Sequence, residues 1–463
     1  MRRFPVWLTA GVFVGTLAAP RTILAQGYGV YEHGTCAMAR AGTAVASPCD
    51  DASTIFFNPA GLALATHKLV SAGGTLIAPS GQFENDSTGE KTSMNKRVYP
   101  VPHVYFQHPL SDRIVAGFGF FVPYGLETDW PENFEGRFLG YKSLVQGFYL
   151  QPTVAVKITD RFMVGAGVDF TYLKVGLHQH LDLAPQALPP PAPPGTTFAN
   201  LGIPAGTDFA NADLDGHAWN LGFNVGIILQ ATDKLSLGVR FLSRQKVEIN
   251  DATVTFTQIA TNDTLAAGNP FGVPAGTTLD QVLAPRFLPD STLSTQGGKT
   301  TLTLPEQLVV GAAYQFTPRL KLLFDYQRTN WKVFKDLVLD FEHAGRRTIV
   351  EDYHASDGFR MGGEFAWTSN TTLRAGFLTH TEAAPDQTVT PNLPEGPRSE
   401  LTLGFGTRLT NSLRVDLAYQ YIDQADRRGR TTDGGQAAPT TAVNNGLYTF
   451  HAHLFGATFA LSF

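Results

Sequence analysis

The stretch QFTPRLKLLFDYQ, residues 315–327, joins a short polar turn to a strict alternation. Leu320, Leu322, Phe324 and Tyr326 share one side of an extended chain, and Lys321, Leu323, Asp325 and Gln327 share the other. Successive side chains of a strand point to opposite faces, so this is a half-apolar β-strand entered through a tight turn. The pattern recurs in KLSLGVRF (234–241), LRAGFLTH (373–380) and SLRVDLAYQYI (412–422). Equally short turns, rich in Asp, Asn, Pro, Ser or Thr, lie at 109–113, 157–162, 230–235, 367–373 and 408–413. With 315–320 they make six. The other connections are long, at about 83–99, 123–143, 182–214, 248–297, 330–350, 382–398 and 424–447, which makes seven.

Short turns alternating with long loops mark a transmembrane barrel, with the turns in the periplasm and the loops outside. Six turns and seven loops give fourteen strands if both ends of the barrel lie on the turn side. The expected fold is all-β: a 14-stranded antiparallel transmembrane β-barrel over 67–463, with the non-alternating segment 26–66 as a plug in the lumen. A secreted β-sandwich also has alternating strands, but nothing in it would sort connections into short and long. The C-terminus agrees with the barrel. Phe455, Ala457, Phe459, Leu461 and Phe463 fall on one face and end on an aromatic residue, the kind of end that barrel assembly machinery reads during biogenesis.

Composition narrows the class. Of 463 residues only 16% are charged, 11% are aromatic and 46 are Gly, against about 25% charge in an ordinary soluble domain. The first 25 residues carry Arg2 and Arg3 and then an apolar run from Val6 to Ala19, too short to span a bilayer. They read as a secretory signal peptide cut after Ala25, although Ile23 is bulky for its place; a retained anchor is the alternative. Removing them takes away three Arg and no acid, so the mature net charge is −5 − 3 = −8, no footprint for nucleic acid. After them no uninterrupted apolar run of about 18 residues occurs, which excludes a helical membrane protein. Cys36 and Cys49 are the only cysteines. In an oxidising compartment they either close a disulfide or remain two buried thiols.

The segment STIFFNPAGLALA (53–65) contains Asn58-Pro59-Ala60. Water channels carry this tripeptide twice, among several apolar helices; here it occurs once and without them. Locally it is a helix start, with Asn as cap and Pro at the first helical position, and Phe56 and Phe57 ahead of it are placed to pack on the barrel wall. Further stretches are VPYGLETDW (122–130), YLQPTVAVKITDRFMVGAGVDF (149–170), LPEQLVVGAAYQFTPRLKLLFDYQRTNW (304–331), FRMGGEFAWTSNTTLRAGFLTH (359–380) and PNLPEGPRSELTLGFGTRL (391–409). In order and spacing the chain resembles the FadL/TodX family of outer-membrane transporters, from about Gly27 to Phe463.

That resemblance implies a fourteen-stranded barrel, a hatch of which Asn58, Pro59 and Ala60 are the hallmark, and passive uptake of long-chain fatty acids or aromatic hydrocarbons. It further implies capture at an external apolar groove, transfer to a site against the hatch, and sideways release through a gap at a kinked third strand. By position that strand is Arg113–Pro123, and Gly117, Gly119 and Pro123 are the candidate kink formers. The other reading of the glycines is packing under the plug.

The remaining candidates come from the residues. The loops 182–214 and 248–297 carry the near-copies GIPAGT and GVPAGT, which suggests similarly built tips. Their apolar residues Phe198, Leu201, Phe209, Phe271, Leu279, Val282, Leu283, Phe287 and Leu288 either form a landing surface for ligand or pack the two loops on each other. Strand parity turns Arg240, Lys321, Asp325, Arg360, Arg374 and Arg414 into the lumen. There they grip the plug as ion pairs, or one or two meet a substrate carboxylate. HQH (178–180) and HAH (451–453) place paired His on one strand face each, but no zinc-type spacing or catalytic motif accompanies them; no metal, cofactor or enzyme activity is expected.

The expected partners are hydrophobic small molecules, outer-membrane lipid and lipopolysaccharide, for a monomer in the bacterial outer membrane. Two other functions compete: a surface-interaction barrel such as an adhesin or phage receptor, and a polar-solute porin with an open lumen.

Overall fold

A computed structural model describes residues 27–189, 192–429, 432–433, 436–437 and 444–463. The expected signal peptide, residues 1–25, lies outside the described residues, as does most of the loop after residue 429. The strands are β1 (Leu69–Asn85), β2 (Tyr99–Pro109), β3 (Ile114–Asp129), β4 (Lys142–Thr159), β5 (Phe162–Asp182) and β6 (Asp208–Gln230). β7 runs as Leu235–Leu242 and Gln245–Gln258, and β8 as Gln296–Leu304 and Gln307–Gln315. β9 (Leu320–Thr329), β10 (Ser356–Ala366), β11 (Thr371–His380), β12 (Arg398–Arg408), β13 (Leu413–Gly429) and β14 (Gly446–Ser462) complete the set. Each pairs antiparallel with the next, and β1 pairs with β14 from Leu69↔Ser462 to Asn85↔Gly446, closing a 14-stranded barrel.

The six short connections fall where the alternation placed them. The long loops do not all begin where it ended. β3 runs on to Asp129, beyond the expected Pro123; β6 resumes at Asp208, β7 continues to Gln258 and β13 to Gly429. Alternation records lipid on one face and lumen on the other. Where a strand rises above the bilayer both faces meet polar surroundings, and the signal fades before the ladder ends. The connection 330–350 is also partly ordered as a hairpin, Asp336–Phe341 with Gly345–Val350, laid against β8 at Gly298–Thr300.

The outward face is apolar. Leu221, Leu403, Trp367 and Phe459 stand exposed, and Phe463 is 67% exposed. A soluble protein would bury such a girdle; here it is the lipid-facing wall.

Residues 28–63 are almost wholly buried and fill the lumen. They contain two single helical turns, Thr35–Met38 and Thr54–Phe57, and a 3-10 turn Pro59–Leu64. Cys36 and Cys49 are disulfide-bonded and close the intervening loop on itself. The wall makes room by omitting side chains: a Cβ at Gly165 would sit 2.3 Å from Pro59, and one at Gly376 would sit 2.6 Å from the Arg40 backbone.

Candidate functional site

The plug is gripped by charge on one side of the wall. Arg40 Nη1 lies 2.9 Å from Glu364, which also meets Arg374 at 2.8 Å and Lys321 at 3.5 Å. Arg374 continues to Asp416 at 2.6 Å, and Asp416 to Arg414 at 2.8 Å. Asp325 accepts the backbone N–H groups of Ala44 and Val45 at 3.0 and 3.2 Å. Arg360 stacks on Tyr31 and Arg240 on Phe56, at 4.2 and 4.3 Å to the ring centres. All six expected lumen charges therefore engage the plug or its anchoring network. None lines either of the two cavities described below.

Asn58 fastens the plug elsewhere. Its Oδ1 accepts the Ala60 N–H at 3.1 Å, capping the 3-10 turn with Pro59 at the first position. Its Nδ2 donates to Val45 O at 2.6 Å and to Ile227 O of β6 at 3.0 Å. The approach depends on Gly226, where a Cβ would fall 1.9 Å from Asn58 Oδ1. Phe57 packs edge-on against Phe56.

Between β2 and β3 the ladder stops early. It runs from Pro109↔Val115 only as far as Val104↔Phe120, while β2 stays paired to β1 up to Tyr99. Just above, the β3–β4 register slips between Phe121 and Tyr124, where Pro123 sits. The released edge of β3 is taken up by the plug: Val30 N–H donates to Pro123 O at 2.9 Å, and Gly125 N–H to Tyr28 O at 3.0 Å. The window closes again above, where Asn95 N–H meets Asp129 O at 2.8 Å.

The other edge of the window explains itself chemically. In an antiparallel ladder, alternate residues donate to alternate neighbours. Pro100 and Pro102 have no N–H, so the donors of β2 to β1 are Val101 and His103, and the proline positions face the gap. The β2 edge thus offers no donor there. Gly117 and Gly119 lie in the paired part instead. Cβ atoms there would meet Leu62 and Ile55 of the plug at 2.9 Å, so these two glycines serve packing, and of the three candidates only Pro123 sits at the bend.

Two cavities lie behind this window. The inner one, about 190 Å³, is lined by Val30, Ile77, Val101, Val122, Phe148 and Leu454, with Glu32, Glu127, Arg398 and Glu400 as its charged members. The outer one, about 100 Å³, lies under the loops and is lined by Leu144, Val175, Leu302, Leu339, Ile349 and Phe334. Tyr28, Leu126, Val145 and Leu393 line both, so the two adjoin. A dry cavity of about 150 Å³ holds benzene; the inner one is of that order. The cation beside it, Arg398, donates to Gln424 at 3.1 Å and was not among the expected charges.

The loop pair departs from an open landing surface. Phe198, Phe209, Leu279 and Leu283 are fully buried in a core of their own, with Leu201, Phe271, Val282 and Phe287 half-buried around it. Packing these rings on one another removes more apolar surface from water than leaving them free for ligand. Only Leu288, 58% exposed, still presents itself outward. The two tips are built alike, as the repeated motif suggested: Thr207 Oγ1 donates to Pro204 O and Thr277 Oγ1 to Pro274 O, at 2.7 and 2.8 Å. His178 and His180 pair with Asp213 and Asp208, and among the described residues no three His, Cys, Asp or Glu side chains converge on a metal site.

Pro100, Pro102 and Arg398 escaped the reading of the sequence. The prolines carried a usable signal: two at i and i+2 inside a strand mark an edge without a partner. Arg398 opens β12 after a proline-rich loop, and nothing in that local pattern shows which cavity it borders.

The family described as outer membrane protein transport protein (OMPP1/FadL/TodX) matches residues 16–463. A long-chain fatty acid transport protein of Escherichia coli O6:H1 is 24% identical, over 94% of each chain. Among solved structures, a FadL homologue of Pseudomonas aeruginosa superposes with a TM-score of 0.75 at 19% identity, over 95% of this chain and 100% of that one. The toluene transporter TbuX of Ralstonia pickettii gives 0.63 at 20% identity, over 94% and 99%.

Proposed function

The chain belongs to the OMPP1/FadL/TodX family of outer-membrane transport proteins, and from that premise we propose that it takes up hydrophobic molecules passively, by capture under the loops and sideways release into the membrane. Outer-membrane location and hydrophobic cargo are properties of the family, whose members are transporters. Fatty acids and toluene are the cargoes in the relatives' names. In this reading residues 1–25 are a cleaved signal, 26–66 the hatch and 67–463 the barrel.

One observation carries the route: the outer cavity adjoins the inner one at Tyr28, Leu126, Val145 and Leu393, and the inner one is lined by Val101 and Val122 at the β2–β3 window. A hydrophobic molecule following it exchanges one apolar lining for another and then meets lipid tails, without crossing water. The plug blocks the straight path, so the window is the way out. Arg398 is placed to meet an acidic head group at the inner cavity, because a buried carboxylate needs a charged partner.

The window gives the test. Replacing Pro100 and Pro102 together by Thr restores two donors to the β2 edge. At about 0.5–1.5 kcal/mol for each hydrogen bond, the closed seam gains, and uptake of labelled oleate and xylene slows at equal surface level. Unchanged uptake would mean that cargo leaves elsewhere. Large steady conductance in planar bilayers would sink the plugged-transporter reading itself in favour of a porin.

A further inference from the structure

The outer cavity differs from the inner one in its polar groups. Its charged lining is a single carboxyl, Glu351, with no Arg, Lys or His. Glu351 follows the hairpin strand Gly345–Val350 in the long connection between β9 and β10. Its backbone N–H donates to Lys335 O, but its side chain has no hydrogen-bond or ion-pair partner among the described residues. Apolar surroundings push this carboxyl up to about 8, with no neighbouring cation to offset them, so at pH 7 it is mainly the neutral acid.

Two further polar groups in the same lining are unpartnered. The Tyr28 hydroxyl and the Thr300 hydroxyl are both buried without a hydrogen bond, in residues only 3% and 7% exposed. Leaving a buried hydroxyl unsatisfied is unfavourable by about 1–3 kcal/mol, so such groups await a partner. Around them stand aromatic edges: Tyr28 meets Phe334 at 6.0 Å and Phe334 meets Tyr353 at 4.9 Å, both edge-to-face. Tyr28 and Tyr353 are also the titratable groups on which the Glu351 carboxyl acts.

We infer that the outer cavity is a selective site for the hydroxyl end of an uncharged aromatic molecule, a phenol, with Tyr28, Thr300 and Glu351 as its hydrogen-bonding partners and the ring reaching past Tyr28 and Leu126 toward the adjoining inner cavity. A phenol both donates and accepts, as does each of these three groups. A carboxylate would enter with no cation to meet it, beside an acid that becomes a second negative charge on ionising. A plain hydrocarbon would leave all three groups unpaired. The inference rests on the uptake reading above and adds the chemical class that the outer site prefers.

The test is binding to the purified full-length protein in detergent, by titration calorimetry, with 4-ethylphenol, 4-ethyltoluene and 4-ethylbenzoate at pH 7. One satisfied hydrogen bond predicts the phenol roughly two- to tenfold tighter than the hydrocarbon, with the benzoate weakest. Thr300→Val and Glu351→Leu bring the phenol-to-hydrocarbon ratio toward one. The sign with pH follows from the raised carboxyl: as pH rises through about 8 it ionises, becomes acceptor-only and takes the phenol O–H in a charge-assisted hydrogen bond, so the preference for phenol over hydrocarbon strengthens. That is before the ligand itself ionises near 10, as a tyrosine does. Glu351→Gln abolishes this step. Heat-modifiable gel mobility verifies that each variant is folded, and Thr300→Val, nearly isosteric, carries the test if Glu351→Leu is not.

Hydrocarbon binding equal to or tighter than phenol binding, benzoate binding tightest, or a ratio indifferent to Thr300→Val overturns the inference. In the last case the hydroxyls hold only water. Uptake would still stand on hydrocarbon binding. Failure of all three ligands to bind, together with absent uptake, would instead remove the transport reading.

Discussion

The two ends of the plug are built on opposite principles. Around Arg40 charges are paired in series: Glu364, Arg374, Asp416 and Arg414 form one continuous chain of ion pairs from plug to wall. Around Tyr28 the chain lends backbone hydrogen bonds to β3, but hydroxyls and a carboxyl stand without partners among apolar side chains. The difference teaches where the molecule is finished and where it waits. A closed network resists motion and excludes ligand. An open set of polar groups in an apolar cavity is poised for something that the chain itself does not supply.

The comparison breaks first at Arg40. Arg40→Ala leaves Glu364 buried with fewer partners, and losing one member of such a pair is destabilising by about 3–5 kcal/mol. The expected result is a lower denaturation midpoint and ion leakage in planar bilayers; a plug that stays tight would show that the charges are not what holds it. Asn58→Ala is the next largest effect, about 2–4 kcal/mol from the lost cap and two stranded carbonyls. It is expected to impair uptake more than barrel assembly, and equal uptake at equal surface level would refute a positioning role for Asn58. The smallest effect sharpens the contrast within the loops. Leu288→Ser, at an exposed side chain, changes stability within about 0.5 kcal/mol and is read only in slower uptake. Leu283→Ser, in the loop core, is read in thermal stability.

The barrel was legible because membrane β-structure writes itself locally. QFTPRL, KITDRF and RLTNSL mark turns by residue chemistry, and the strands between them alternate because lipid lies on one side and lumen on the other. The Asn58 cap was legible for the same reason, since it depends on residues two apart. The capture loops were half legible: the apolar residues at 279–288 were plain, but whether Leu283 meets ligand or Phe198 depends on a loop some eighty residues away. The candidate gate was displaced for a similar reason. Gly117 and Gly119 looked like kink formers until Ile55 and Leu62 stood against them, and the prolines that mark the window sit on the neighbouring strand.

By itself the sequence determined the class of the protein, the strand count, the plug and its cap, because each follows from the period of side chains along one segment and from turn chemistry within a few residues. Only the tertiary structure decided that the lumen charges serve the plug, that Arg398 borders the inner cavity, and that Glu351, Tyr28 and Thr300 line the same outer one. Tyr28, Thr300 and Glu351 come from the plug, β8 and a long loop, the first about 270 positions and the last about 50 from Thr300. Their meeting is fixed by barrel closure and plug depth, which no local pattern encodes.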